Sequence, residues 1–249
     1  MRTSLRLPLA LAALLLAAPF IARAESEGTL PHAENDVRNL ASLQRGARNF
    51  MNYCSGCHSA QFVRFNRIGT DLGISEEELK ANLMFAAEKP FETIKSSLPS
   101  ADGRKWFGNA PPDLSLMARA RGTDYLFAFL SGFYADASRP TGVNNVVLPG
   151  TAMPHVLSDL QGVQVMVPAG PGGEEEDETV LSRLKPGSPG TMSAENYAEF
   201  VRDTVNFLEY IGEPVQVKRR DLGVWVTLFL LVFTGFAFLL KREYFRDIH

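Results

Sequence analysis

Nineteen consecutive residues near the C-terminus, Leu222 to Leu240, carry no charge. At 1.5 Å per residue a helix over this stretch reaches about 28 Å, close to the hydrocarbon thickness of a bilayer. A buried core helix is the competing reading, but core helices seldom lack a polar face. Basic residues also bracket this one, Lys218, Arg219 and Arg220 before it and Lys241 and Arg242 after it. The sequence therefore predicts one membrane-spanning helix over 222–240 and a tail of 241–249. With Arg246 counted, three basic residues lie on each side, so the flanks do not orient the span.

The other end supplies the orientation. Arg2 and Arg6 precede a nearly unbroken apolar run, Leu7 to Ala22, which closes on the small-x-small site Ala22-Arg23-Ala24. These are the parts of a secretory leader, and cleavage is expected after Ala24. An uncleaved anchor fits less well, because the run is short and interrupted by Pro8 and Pro19. An exported N-terminus followed by one stop-transfer span puts a domain of residues 25–221 outside the cytoplasm and the tail inside. That domain holds 19 Lys and Arg against 26 Asp and Glu, a net of −7. A phosphate-backbone binder needs clustered positive charge, so no nucleic-acid partner is expected.

The chain has two cysteines, too few for a disulfide framework, and both fall in Cys54-Ser55-Gly56-Cys57-His58. In Cys-x-x-Cys-His the two thiols add across the vinyl groups of a haem and the adjoining imidazole becomes an axial iron ligand. A thioredoxin-like dithiol would want a βαβ context, and half of a zinc site would want a second ligand pair. The sequence offers neither. Cys54 and Cys57 are thus expected to bind one covalent haem c, with His58 on its iron.

Several residues compete for the other face of the iron: Met84, Met117, Met153, Met166, Met192, His32 and His155. Met84 and Met117 sit in helix-like apolar patterns that suit core packing. Met192 precedes Ser193, an expected N-cap, and reads as structural. Met153 lies in Leu148-Pro149-Gly150-Thr151-Ala152-Met153-Pro154, a stiff non-helical strap able to offer a thioether. His155 is its rival. A His/Met pair gives a higher reduction potential than two imidazoles.

Taken together, Gln44 to Ser59, Asn109-Ala110-Pro111-Pro112-Asp113-Leu114-Ser115, Arg119-Ala120-Arg121, Ala152-Met153-Pro154, Tyr197 to Pro214 and the final span resemble the cytochrome c1 family over essentially the whole mature chain. The resemblance implies the haem subunit of a ubiquinol:cytochrome c oxidoreductase. The implied partners are a cytochrome b subunit, a Rieske iron-sulfur protein that reduces it, and a soluble or tethered cytochrome c that oxidises it, with membrane lipid around the anchor. It also implies Met153 as sixth ligand, Arg121 (or Arg119) as a haem-propionate partner, and Pro111 and Pro112 as a wall beside the porphyrin. Some relatives tether the ligand loop with a further cysteine pair. This chain has none, so packing alone is expected to hold Met153.

The expected fold is mainly α: a cytochrome c-like helical haem domain with extended loops, plus the C-terminal transmembrane helix. Helices are expected near 36–56, from the Ser75-Glu76-Glu77-Glu78 capping box, after Thr123, and from Ser193 to Ile211. The acidic run Glu174 to Glu178 reads as a solvated loop or a steering patch for a basic partner. With both axial positions filled, the chain is expected to carry electrons without a substrate site, in a bacterial inner membrane with its haem domain periplasmic. The alternatives are a c-type cytochrome serving an oxidase, dehydrogenase or peroxidase, and a colourless membrane protein with an incidental motif.

Overall fold

The computed structural model describes residues 29–167 and 179–246. The expected leader and the acidic run Glu174 to Glu178 lie outside the described residues. In chain order the elements are α1 (Leu40–Tyr53), β1 (Ala60–Arg64), α2 (Phe65–Leu72), α3 (Glu76–Asn82), β2 (Thr93–Ile94), α4 (Ser100–Phe107), α5 (Met117–Arg121), α6 (Thr123–Ser131), β3 (Phe133–Ala135), β4 (Val143–Asn145), α7 (Ser158–Gln161), β5 (Gly162–Met166), β6 (Leu184–Pro189), α8 (Ala194–Gly212) and α9 (Gln216–Tyr244). Among the described residues the strands form three separate antiparallel pairs, β1–β2, β3–β4 and β5–β6.

The core is built on the crossing of α1 and α8. Asn39 caps α1 by accepting the Ser42 N–H at 3.1 Å, and Ser193 caps α8 by accepting the Asn196 N–H at 3.3 Å. Leu43, Ala47, Phe50 and Met51 then recur at helical spacing on the buried face of α1. They meet Phe200, Val201, Val205, Phe207 and Leu208 of α8. The rings of Phe50 and Phe207 lie 5.6 Å apart. Full burial of a side chain such as Phe50, Phe207 or Val201 contributes about 1.5–3 kcal/mol. At Gly46 the helices touch backbone to backbone: a Cβ there would lie 2.0 Å from the Asp203 carbonyl oxygen.

Polar rungs fix the register of that crossing. Arg45 donates to the buried Asp203 at 2.5 and 3.0 Å, and the Asn49 amide donates to Phe200 O at 3.2 Å and Thr204 Oγ1 at 3.3 Å. Arg45, Gly46 and Asn49 all belong to the segment running into the cysteine motif, so the crossing sets where that motif sits.

Helix α9 runs for 29 residues, six beyond the charge-free segment at its start and four at its end. Its most apolar window has a mean hydropathy of 2.3 and no buried residues, so it is long and apolar enough to cross a membrane. Its root is tied to the domain. Gln216 donates to Glu209 Oε1 at 2.9 Å, Arg38 pairs with Asp221 at 3.2 Å, and both Arg119 and Arg219 pair with Glu213.

The structure bears out the mainly α fold class and adds to it. The Ser75 capping box forms in full, with Glu78 N–H donating to Ser75 Oγ and Ser75 N–H to Glu78 Oε2. Helices α2 and α4 and the three strand pairs are additions, in segments too short to show a clear hydrophobic period. Met84 is a correction: it is buried, but lies just past α3 in non-helical chain.

Candidate functional site

Helix α1 ends at the motif. Cys54 is its C-cap, with its N–H on Phe50 O, and the chain turns tightly as Cys57 and His58 N–H both return to Cys54 O at 3.1 and 2.8 Å. Cys54 is partly buried and Cys57 exposed, and both are free thiols. Burial first, then the neighbouring Cys57, pushes the Cys54 thiol up to about 12, so it stays a neutral thiol at physiological pH. Across the turn, Ser96 Oγ and Leu98 N–H both donate to Gly56 O, at 3.0 and 3.2 Å.

His58 is buried, and its Nδ1 lies 2.8 Å from the Pro112 carbonyl oxygen. A carbonyl can only accept, so Nδ1 carries the proton and Nε2 presents a lone pair. No described residue hydrogen-bonds that Nε2. Burial lowers the His58 pKa, against a smaller upward pull from the Pro112 carbonyl and Asp113, and a neutral imidazole is the form that ligates a metal. A ligating histidine is normally oriented this way, through its other nitrogen. The residues at this turn therefore fit a haem joined through two thioethers and a histidine.

The segment holding Pro112 is itself pinned to the strand after the motif. Leu114 N–H donates to Ser59 O at 2.8 Å, Gln61 N–H to Asp113 Oδ2 at 3.0 Å, and Phe62 N–H to the buried Ser115 Oγ at 3.1 Å. Asp113 and Ser115, which hold this segment in place, are part of the resembling motif but are given no role by the sequence reading. The Asp113-x-Ser115 pattern, in which Asp113 Oδ1 accepts the Ser115 N–H at 2.8 Å, signals an Asx turn that could have marked them.

The two candidate arginines have different surroundings. Arg119 is paired with Glu213, which also takes Arg219, and the Arg219 bond first and then Arg119 hold that carboxyl down at about 2. Arg121, at the end of α5, has no carboxylate partner among the described residues and sits 5.5 Å over the Tyr125 ring. Met153 is partly buried in non-helical chain between β4 and α7. No hydrogen bond among the described residues joins its strap to the Cys54–His58 turn; they connect through the packing of α6, α8 and α1.

His155 stacks on Phe133 at 4.9 Å with the rings 5° apart. Among the other axial candidates, His32 sits at the surface, 2.9 Å from Asp124. Met117 opens α5, Met166 ends β5, and Met192 packs against the core beside the Ser193 cap.

Comparison with known proteins identifies the family. The family model described as "Cytochrome C1 family" matches residues 88–166. Cytochrome c1 of Allochromatium vinosum is 47% identical, over 97% of this chain and 99% of that protein. A protein of Nitrosomonas europaea named ammonia monooxygenase gamma subunit is 43% identical, over 94% of this chain and 96% of its own length. Among solved structures, a chain of a hyperthermophilic respiratory Complex III aligns with a TM-score of 0.46 and 16% identity, covering 98% of each chain. Identity of 47% sustained across nearly all of two proteins does not arise from a shared motif alone, and this chain belongs to the cytochrome c1 family.

Proposed function

We propose that this chain is the haem electron-transfer subunit of a ubiquinol:cytochrome c oxidoreductase, taking one electron at a time from a Rieske iron-sulfur protein and passing it to a soluble or tethered cytochrome c. The observation that carries the reading is the His58 imidazole: its Nδ1 proton is committed to Pro112 O at 2.8 Å, which leaves Nε2 open, and His58 closes the tight turn that holds the two free thiols. Bound haem supplies a one-electron iron couple. Cys54 and Cys57 would hold it covalently, Pro112 orients His58 as one protein ligand to its iron, and Met153 would supply the other. An iron whose ligands all come from the protein would leave no place for a substrate, so quinol chemistry would belong to the cytochrome b and Rieske partners.

Arg121 is the propionate partner in this reading, because Arg119 is already spoken for by Glu213. The leader is removed after Ala24, and α9 anchors the domain on the periplasmic face of a bacterial inner membrane. A second reading, in which the same anchored cytochrome serves another redox enzyme, is favoured by the name of the Nitrosomonas relative, a monooxygenase subunit.

The test is a redox-titrated absorption spectrum of the membrane-bound protein with mass spectrometry of the mature chain. One macrocycle added at Cys54 and Cys57 is expected, with a near-infrared thioether-to-iron band that disappears in Met153→Leu. A polypeptide without added mass would defeat the haem reading, and a band that survives Met153→Leu would defeat the ligand assignment alone. Purification with a dihaem b subunit, rather than with another redox enzyme, separates the two physiological readings.

A further inference from the structure

The strap that carries Met153 is held by side chains. Asn145 at the end of β4 has no exposed surface, and its amide faces two elements: Nδ2 donates to Phe129 O of α6 at 2.7 Å, while Oδ1 accepts from Val147 and Leu148 N–H at 2.9 and 3.2 Å. Asn144 Oδ1 accepts the Gly150 N–H at 2.8 Å, and its Nδ2 donates to Asp136 Oδ2 at 2.9 Å. Asp136 is fixed in turn by Ser138, whose N–H and Oγ donate to Oδ1 at 3.0 and 2.6 Å. From the β3–β4 turn, Arg139 Nη2 donates to Gly150 O at 2.8 Å.

Both backbone polar groups of Gly150, whose φ is +79°, are thus taken by side chains of one hairpin, three residues before Met153. Thr151 continues the hold: it is buried, its N–H donates to Leu148 O at 3.1 Å, and its Oγ1 accepts the Met153 N–H at 3.4 Å.

Leu148, Pro149 and Gly150 are exposed, so water could serve their backbone groups at no structural cost. A fully buried amide is retained only where its bonds are made, and here two of them fix loop geometry. We propose that Asn144, Asn145 and Arg139 are positioning residues that hold strap 147–153 in the one conformation presenting the Met153 thioether to the haem iron. The inference rests on the Met153 assignment above. A thioether is a soft ligand and binds ferric iron weakly, so its occupancy depends on how little freedom the strap must give up.

The test is competition in the full-length, haem-loaded ferric protein in detergent, with imidazole as the external ligand that must displace Met153. Asn144→Ala removes the acceptor for Gly150 N–H, and Arg139→Gln replaces the guanidinium that donates to Gly150 O with a shorter side chain whose amide ends well short of the Nη2 position. Each is expected to tighten apparent imidazole binding about fivefold, the worth of one hydrogen bond. Arg139→Lys can still reach Gly150 O and should stay near wild type, a rescue that a general loss of stability would not show. Should Asn144→Ala not fold, the Arg139 pair decides. Wild-type imidazole affinity in Asn144→Ala and Arg139→Gln, with the near-infrared band lost in Met153→Leu, would overturn the positioning role alone. A band that persists in Met153→Leu would overturn the ligand assignment and this inference with it.

Discussion

Replacing Gly46 by alanine is the sharpest probe of the helix crossing that carries the haem turn. A Cβ at this position would lie 2.0 Å from Asp203 O and 2.8 Å from both Asp203 C and Phe207 Cβ. Two of those neighbours are helix backbone, which cannot rotate away. To restore an ordinary contact near 3.4 Å, α1 and α8 would have to part by about 1.4 Å at the crossing. That motion stretches Arg45–Asp203, now 3.0 Å at Nη2, and Asn49–Phe200 O, now 3.2 Å, past hydrogen-bonding range.

Alanine gains about 1 kcal/mol over glycine inside a helix. Against this stand about 1–3 kcal/mol of overpacking and about 1 kcal/mol for each polar rung strained. The loss wins by about 3 kcal/mol. For a domain of this size each kcal/mol moves the midpoint about 2–4 °C, so Gly46→Ala should lower it by about 6–12 °C. Thermal unfolding of the full-length protein in detergent, followed by circular dichroism, measures this directly. A midpoint equal to or above wild type would refute the close crossing, because helix propensity would then be the only effect in play.

Two further outcomes follow from the charged groups. Glu213 is held at about 2 by Arg219 and Arg119, well below an unfolded carboxylate near 4.3. Its contribution to the joint between domain and anchor is therefore full above that unfolded value and is lost as pH falls through about 2. The stability difference between wild type and Glu213→Gln should shrink between about pH 4.5 and 2, and a difference unchanged at the acid end would disprove the coupling. Arg121→Gln should lower the haem reduction potential by roughly 40 mV, the equivalent of about 1 kcal/mol for one electron, since the guanidinium favours the less positive ferrous state. Arg119→Gln should leave it unchanged, and the reverse pattern in potentiometric titration would exchange their roles.

What could be read from the sequence was what repeats or what chemistry spaces rigidly. Leu43, Ala47, Phe50 and Met51 announce α1 by period, Ser75 and Glu78 announce α3 by their reciprocal cap, and Leu222 to Leu240 announces the anchor by length. The strand pairs left no such trace. In β5–β6 a register shift between Val163 and Gln164 breaks the alternation, and β6 contains two prolines and a glycine, so pairing is decided by the partner strand. Helix α2 is short, but Gly73 at φ +65° marks its end, a stop signal legible only once the helix is suspected.

The site divides along the same line. Cys54, Cys57 and His58 are legible because Cys-x-x-Cys-His is a short local pattern whose fixed spacing suits haem attachment. The groups that orient them are far away in sequence: Pro112 serves His58 through a carbonyl every residue type possesses, so no side-chain signal could reveal it. The strap was expected to be held by packing alone, and it is instead clamped through Asn144, Asn145 and Arg139. In both cases the holding groups, a backbone carbonyl, two small amides and a guanidinium, read in the sequence as ordinary loop residues. The family is therefore recognised by the spacing of Cys54, Cys57 and His58, while Pro112, Asn144, Asn145 and Arg139 become informative only after folding brings them within hydrogen-bonding distance of the groups they restrain.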